Sequence, residues 1–104
     1  MRLLVIWRLA DGVSEPDVAP HMESEEKWAW AAYRDDFLRE HYLTDDGATV
    51  VSVLEATTLE EAKGRIETLP LFAAGLIKPE FLQLRPFMNW EVLFAKASDG
   101  RGAT

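Results

Sequence analysis

The 104-residue sequence contains no cysteine, and this absence excludes several kinds of chemistry at once. Disulfides, thiolate metal sites and thiol nucleophiles all require that residue. Histidine is scarce too, since His21 and His41 are twenty residues apart rather than at the short spacing of paired metal ligands. The chain also lacks a glycine-rich phosphate loop and a nucleophile elbow. We therefore expect neither a metal nor any other cofactor.

Basic residues are outnumbered, with 11 Lys and Arg against 18 Asp and Glu, and the formal net charge is −7. Such a field repels phosphate backbones and anionic membrane surfaces. No apolar run approaches the ~18 residues that a membrane span needs. Residues 1–8 resemble a strand rather than a secretion signal, because the apolar run is short and lacks a cleavage site. We expect a cytoplasmic protein without a nucleic-acid or membrane partner.

The chain does contain enough apolar residues for one core, with 48% hydrophobic and 11% aromatic residues. Its length corresponds to one ordinary domain. We predict a single domain over residues 1–97, including a C-terminal extension. The small, polar and glycine-rich segment 98–104 is predicted to be a flexible tail.

Hydrophobic periodicity and turn residues predict six main elements. The predicted strands cover residues 3–9, 41–44, 48–56 and 79–85, and the predicted helices cover residues 14–40 and 58–69. Pro20 predicts a kink in the first helix. The order strand, helix, strand, strand, helix, strand is typical of a ferredoxin-like domain of the α+β class.

The two longest predicted strands of the first half, 3–9 and 48–56, are apolar on both alternating faces. In a ferredoxin-like domain the two helices cover only one face of the sheet. The other face would then expose an apolar patch larger than soluble monomers usually tolerate. We therefore predict a homodimer in which a second copy packs against the uncovered sheet face.

Several segments carry a family resemblance. Leu-Pro-Leu-Phe at 69–72 is followed by Ala-Ala-Gly-Leu-Ile at 73–77 and by residues 80–86, which overlap the last predicted strand. These residues resemble the C-terminal half of muconolactone isomerase, in which a Leu-Pro-Leu-Phe segment ends the second helix and leads into the last strand. Residues 30–34 and 38–42 resemble small bacterial muconolactone isomerase-like proteins, so the likeness covers about residues 2–94.

The resemblance implies a dimeric α+β barrel, in which the sheets of two ferredoxin-like domains face each other. That superfamily includes isomerases, cofactor-independent oxygenases of aromatic polyketides and haem-degrading enzymes. The resembling segments are structural, so they specify the fold better than the chemistry. Candidate site residues must come from the sequence itself.

The predicted first helix carries an aromatic stripe. Spacings of three, four and four residues place the stripe on one face, at Trp30, Tyr33, Phe37 and His41. We expect it to face inward and to line a pocket between helix and sheet, although plain core packing would produce the same pattern. Tyr33 and His41 need hydrogen-bond partners if buried, and such groups can donate or accept protons.

Polar residues on the predicted strands add to this pocket. Glu55 interrupts an apolar strand, and Gln83 and Arg85 share a face of the last one. A buried carboxylate is costly unless it is paired, so we expect an arginine partner, drawn from Arg85, Arg34 and Arg8. A structural ion pair at an exposed strand end is the alternative.

These observations favour a small-molecule-binding protein that acts as a metal-free isomerase on a carbonyl or lactone substrate. The predicted catalytic residues are Tyr33, His41, Glu55 and Arg85. Glu55 or His41 would be the base, while Arg85 or Tyr33 would stabilise the enolate. The predicted substrate-binding residues are Trp7, Trp30, Phe37 and Gln83. The alternatives are a cofactor-independent oxygenase of the aromatic polyketide type and a non-catalytic dimer that binds a ligand or a partner.

Overall fold

Four strands form one antiparallel sheet in the computed structural model, which describes residues 1–98. The strands are β1 (Arg2–Leu9), β2 (Leu38–Leu43), β3 (Val50–Glu55) and β4 (Ile77–Leu84). Their order across the sheet is β2-β3-β1-β4, and each neighbouring pair is antiparallel. This confirms the ferredoxin-like α+β arrangement predicted from the sequence.

The α-helices are α1 (Glu15–Val18), α2 (Met22–Arg34), α3 (Leu59–Ile66), α4 (Pro70–Ala73) and α5 (Val92–Ser98). A 3-10 turn at Ala19–His21 joins α1 to α2, at the kink that Pro20 predicts. No helix within residues 1–98 has the length and apolar character that crossing a membrane requires.

The first long helix ends earlier than predicted. It stops at Arg34 instead of Glu40, because Asp36 adopts a left-handed backbone conformation with φ 63° and breaks the helical hydrogen-bond series. The chain then enters β2 three residues before the predicted strand start. Aspartate tolerates this conformation better than most residues, which explains why no glycine is needed at the turn.

The inward face of α2 also differs from the prediction. Trp30 and Tyr33 are 62% and 53% exposed, and their rings stack on the outer surface with centroids 5.7 Å apart. Their predicted inward orientation is therefore wrong. Trp28 and Ala32 face the sheet instead, and the small Ala32 side chain, only 2% exposed, lets the helix approach closely.

Phe37 is buried as expected, but it belongs to the turn between α2 and β2 rather than to a helical stripe. It is 2% exposed and meets the Trp28 ring edge to face at 6.2 Å. The Arg65 guanidinium lies 4.1 Å from its ring centroid. The backbone oxygen of Phe37 also accepts a hydrogen bond from Glu55 N at 2.9 Å, so Phe37 joins the turn to β3.

The two faces of the sheet have different environments. Leu3, Val5 and Leu54 point towards the helices and are buried. On the opposite face, Leu4 pairs across the strands with Val53, and neighbouring apolar pairs continue the pattern. The helices pack on one face of the sheet only. Both faces of β1 and β3 are apolar, as the sequence indicated. The homodimer stays a prediction.

The chain leaves the sheet after Leu84 and continues as an extended segment. A 3-10 turn at Met88–Glu91 leads into α5. The radius of gyration is 18.7 Å, against about 13 Å for a compact chain of this length, and the longest dimension is 64 Å. The predicted flexible tail, residues 98–104, lies outside the described residues except for Ser98, which ends α5.

Substitution of the two aromatic residues tests their assignment. We expect Phe37→Ala to lower the free energy of unfolding by about 3–5 kcal/mol, because it leaves a cavity in the core. Tyr33→Ala should cost less than about 1 kcal/mol, because that ring is exposed. Urea denaturation of both variants measures the difference, and equal losses would contradict the orientation of α2.

Candidate functional site

A cavity of about 480 Å³ opens between α1, α2 and the helix-covered face of the sheet. It exists because α2 lies close to the sheet only near its C-terminal end, where Ala32 is buried, whereas Met22 at the other end is exposed. The walls are mainly apolar, and they include Trp7, Val18, Trp28, Ala29, Leu54, Leu69, Leu71 and Ile77. The volume lies within the ~300–1,000 Å³ that small-molecule sites occupy.

A short hydrogen-bond relay forms one wall of the cavity. Ser52 lies on β3 and is fully buried, directly opposite His41 of β2 and diagonal to Trp7 of β1. Trp7 Nε1 donates to Ser52 Oγ at 2.8 Å, and Ser52 Oγ lies 2.7 Å from His41 Nδ1. All three residues line the cavity.

The relay fixes the hydrogen positions by elimination. The indole of Trp7 can only donate, so Ser52 Oγ accepts that bond. The buried hydroxyl of Ser52 then needs an acceptor for its own hydrogen, and His41 Nδ1 is the acceptor within reach. Neutral His41 consequently carries its hydrogen on Nε2, the ring nitrogen that forms no hydrogen bond within residues 1–98.

His41 stays neutral more readily than a free histidine. The residue as a whole is exposed at the cavity mouth, yet the ring is desolvated on the side that faces Ser52. Burial lowers the pKa of His41 below its ordinary value of 6.5, while the negative charge of Glu26 acts in the opposite direction. The site therefore presents a neutral N–H donor at the mouth of an apolar cavity.

A carboxylate on α2 also lines the cavity. Glu25 is partly buried, and its Oε1 accepts a hydrogen bond from Leu71 N, at the N-terminal turn of α4, at 3.0 Å. Burial raises the pKa of Glu25 above its ordinary value of 4.5, and the adjacent charge of Glu26 adds to the effect, whereas the Leu71 hydrogen bond opposes it. Such a carboxyl can accept or release a proton nearer to neutral pH than an exposed one.

The structure brings together only Trp7 and His41 of the predicted site residues. Trp30 and Tyr33 lie on the outer surface of α2, and Phe37 is enclosed in the core. None of these three lines the cavity. Their assignment to the pocket rested on one continuous helix from residue 14 to residue 40, which the turn at 35–37 interrupts.

Glu55, Gln83 and Arg85 lie at the opposite end of the sheet. Arg2 pairs with Glu55 on one side and with Leu84 on the other, whereas the cavity lies five residues further along β1, around Trp7. Five strand residues correspond to roughly 17 Å. The grouping of Glu55 and Arg85 with His41 is therefore wrong, as is the placement of Gln83 in the pocket.

Glu55 instead forms an exposed ion pair. Its carboxylate lies 2.9 Å from the amino-terminal nitrogen of Met1 and 3.2 Å from Arg2 Nε. The hydrogen bond from the amino terminus is the main reason why the pKa of Glu55 lies below its usual value. The arginine partner of Glu55 is Arg2, and not Arg85, Arg34 or Arg8 as expected. Arg8 pairs with Glu80 at 2.9 Å instead.

Two residues of the site escaped the sequence analysis. Ser52 is a polar residue within an apolar strand, and only the register of β2 and β1 on β3 shows that it joins Trp7 to His41. Glu25 had a detectable signal, because it is three, four and seven residues before Trp28, Ala29 and Ala32 on one helical face. Within residues 1–98, no three acidic or histidine side chains are placed to hold a metal ion.

Comparison with known proteins gives evidence at the level of structure alone. No protein-family model matches the sequence, and no curated protein matches it. A crystal structure of muconolactone isomerase superimposes with a TM-score of 0.70 at 18% identity, covering 85% of this chain and 92% of that one. The chain has a muconolactone isomerase-like fold.

A second solved structure shares this muconolactone isomerase-like fold. It is 5-chloro-2-hydroxyhydroquinone dehydrochlorinase from Burkholderia phenoliruptrix, in complex with 2,5-dihydroxybenzoquinone. The TM-score is 0.68 at 16% identity, with 82% of this chain and 94% of that chain covered. At such identities the likeness shows the fold, and the chemistry must be argued from the cavity.

Removing the central hydroxyl tests the hydrogen positions in the relay. In Ser52→Ala we expect the pKa of His41 to rise towards 6.5, because Nδ1 of the neutral ring no longer accepts a hydrogen bond from the Ser52 hydroxyl. NMR titration of the His41 ring protons measures this. Trp7→Phe is the control, because it keeps the contact between Ser52 and His41. A fall in the pKa of His41 in Ser52→Ala would show that Nδ1 carries the hydrogen.

Proposed function

We propose that this protein binds a carbonyl- or lactone-containing small molecule in the cavity and isomerises it by proton transfer. The observation that carries the proposal is the relay from Trp7 through Ser52 to His41 at the wall of an apolar cavity. An apolar cavity with a few converging polar groups is the usual form of a small-molecule site.

His41 supplies the electrophilic half of the mechanism. With Nδ1 accepting from Ser52, its Nε2–H is free to donate to a carbonyl oxygen of the substrate. A hydrogen bond to that oxygen stabilises the negative charge that develops when a proton leaves the neighbouring carbon. Because the imidazole is held neutral, it needs no proton from solvent to serve as this donor.

Glu25 supplies the base. Its carboxylate lines the same cavity and has a raised pKa, so it can take a proton from carbon and return it at another position. This assignment replaces Glu55 as the base, because Glu55 lies beyond the far end of the cavity. Tyr33 and Arg85 have no part in the mechanism, because Tyr33 lies on the outer surface of α2 and Arg85 lies at the far end of the sheet.

The two structural neighbours support the class of ligand. One is named for a lactone isomerisation, and the other was crystallised with 2,5-dihydroxybenzoquinone, a small ring that carries carbonyl and hydroxyl oxygens. A molecule of that size fits a cavity of about 480 Å³. These ligands supply the probes with which the proposal is tested.

A non-catalytic ligand-binding role is the second candidate, and one contact favours it. The hydrogen bond between Glu25 and Leu71 N joins α2 to α4, which is a structural task that needs no chemistry. In that role the cavity would bind the same molecules without moving a proton. Only the catalytic role predicts exchange of carbon-bound hydrogen in the ligand. Both roles predict the same affinity for the ligand.

We also propose that the domain works as a homodimer through the uncovered sheet face. Leu4, Ile6, Val51 and Val53 form the apolar centre of that face, and Leu82 on β4 extends it. A second copy packed against it would remove this apolar surface from water.

Binding is tested with 2,5-dihydroxybenzoquinone, by quenching of tryptophan fluorescence. We expect saturable quenching because Trp7 and Trp28 line the cavity. His41→Ala should weaken binding roughly tenfold through loss of one hydrogen bond. Trp30→Phe is the matched control and should leave the affinity unchanged, because Trp30 lies outside the cavity. An equal effect of the control variant would contradict this binding site.

Proton transfer is tested by deuterium exchange into muconolactone in D2O, followed by NMR. The rate should rise with pH through the folded-state pKa of Glu25, which lies above 4.5, because the base must be ionised. The exchange should be lost as the pH falls below the pKa of Glu25, because the carboxylate is then protonated. Glu25→Gln keeps an oxygen for the Leu71 bond and should lower the rate by about 10²–10⁴-fold. Quenching without exchange would support the non-catalytic role instead.

A further inference from the structure

The charged side chains around the cavity are mostly of one sign. Three of the lining residues are acidic, Glu15, Glu25 and Glu26, and one is basic, Arg8. Because burial lowers the pKa of His41, its ring adds no positive charge at neutral pH. The ionised side chains that line the cavity therefore have an excess of negative charge.

The positive charge of Arg8 is already paired. Its Nη1 lies 2.9 Å from Glu80 Oε1 on the neighbouring strand β4, and Glu80 does not line the cavity. Both side chains are more than half exposed, so this ion pair contributes little stability. It does balance the guanidinium, and a ligand anion would have to compete with Glu80 for it.

The three carboxylates have no such balance. No basic side chain of residues 1–98 lies within ion-pair distance of Glu15, Glu25 or Glu26. Glu25 accepts a hydrogen bond from Leu71 N at 3.0 Å, but that donor is a neutral backbone group. The negative charge at the cavity is therefore uncompensated by neighbouring side chains.

Glu26 is the carboxylate that acts on both proposed reacting groups. Burial raises the pKa of Glu25, and the charge of Glu26 adds to that rise. The same charge opposes the fall that burial causes in the pKa of His41. The Glu26 side chain is exposed, and it forms no hydrogen bond or ion pair within the described part of the chain. Its charge thus faces the ligand space without a structural task.

The apolar walls make this charge matter to a ligand. Electrostatic interactions are stronger beside apolar walls than in bulk water, and such walls focus the field of the charges that line them. An anionic ligand would lose its hydration and meet carboxylates instead of a free cation. An uncharged carbonyl compound loses less hydration, and its oxygen can accept from the His41 Nε2–H.

We infer that the cavity binds uncharged carbonyl rings in preference to anionic ones, and that Glu26 sets this preference. The inference rests on the proposed function, because it names the class of ligand for the same site. It also protects the proposed base, since an anion beside Glu25 would favour protonation of that carboxyl. Glu26 is in this sense a specificity residue, with no step of its own in the proton transfer.

Two quinones of the same ring test the preference. Each hydroxyl of 2,5-dihydroxybenzoquinone is conjugated with a ring carbonyl, so it is acidic like a carboxylic acid and the ring is anionic at neutral pH. The compound 2,5-dimethoxybenzoquinone keeps both carbonyls and cannot ionise. Two added methyl groups can by themselves raise affinity about tenfold, so the ratio of the two affinities decides nothing. The response of each affinity to removal of one charge does.

The deciding variant is Glu26→Gln, measured by quenching of tryptophan fluorescence at low salt. We expect it to tighten binding of the anionic quinone roughly fivefold and to leave binding of the dimethoxy quinone unchanged. Glu60→Gln is the matched control. It removes the same charge from an exposed residue in the first turn of α3, outside the cavity lining, and should change neither affinity.

Each outcome decides the inference. It is overturned if Glu26→Gln affects both quinones equally, if it affects neither, or if Glu60→Gln has the same effect. It is also overturned if Arg8→Gln weakens binding of the anionic quinone alone, because Arg8 would then leave Glu80 to bind the anion. In all these cases the quinones still bind, so the proposed ligand site stands. Absence of quenching by either quinone would instead overturn the proposed function, and this inference with it.

The exchange assay gives a second measurement. Muconolactone carries a carboxylate, whereas its methyl ester is uncharged. We expect the ester to half-saturate deuterium exchange at a lower concentration than the free acid, and we expect Glu26→Gln to narrow that gap roughly fivefold. A gap that Glu26→Gln leaves unchanged would contradict the role of Glu26.

Discussion

The buried hydroxyl of Ser52 is the constraint on which the site depends. A polar atom with no access to water must find partners, and here the partners come from the strands on both sides of β3. Trp7 can only donate to it, so His41 must accept from it, and that assignment determines which ring nitrogen faces a ligand. One serine therefore positions a tryptophan, orients a histidine and favours its neutral form.

The cavity itself follows from the way α2 meets the sheet. Ala32 allows close contact at the C-terminal end of the helix, while α1 and the 3-10 turn at Ala19–His21 line the cavity at the other end. The resulting gap has apolar walls and few polar groups, so electrostatic effects within it are stronger than in water. This explains why burial dominates the pKa shifts of both Glu25 and His41.

Much of the fold could be predicted from the sequence, and much of the site could not. Hydrophobic periodicity and turn residues are local signals, and they identified the element order and the apolar character of both sheet faces. The inward face of α2 was predicted wrongly because the turn at Asp36 lies within a run of helix-compatible residues. Ser52 was missed because its partners are set by strand register, which a single sequence does not encode locally. Glu55 and Arg85 were grouped with His41 because the sequence does not show the strand register that separates them.

The alternation of β1 and β3 has a consequence for how such a site changes over time. Trp7 and Ser52 border the cavity, while their immediate neighbours Ile6 and Val51 belong to the uncovered face. A substitution of Ile6 or Val51 therefore changes a residue that is covalently bonded to a relay residue, although its own side chain lies on the face away from the cavity. The environment of the uncovered face and the geometry of the relay are therefore set by adjacent residues of the same two strands.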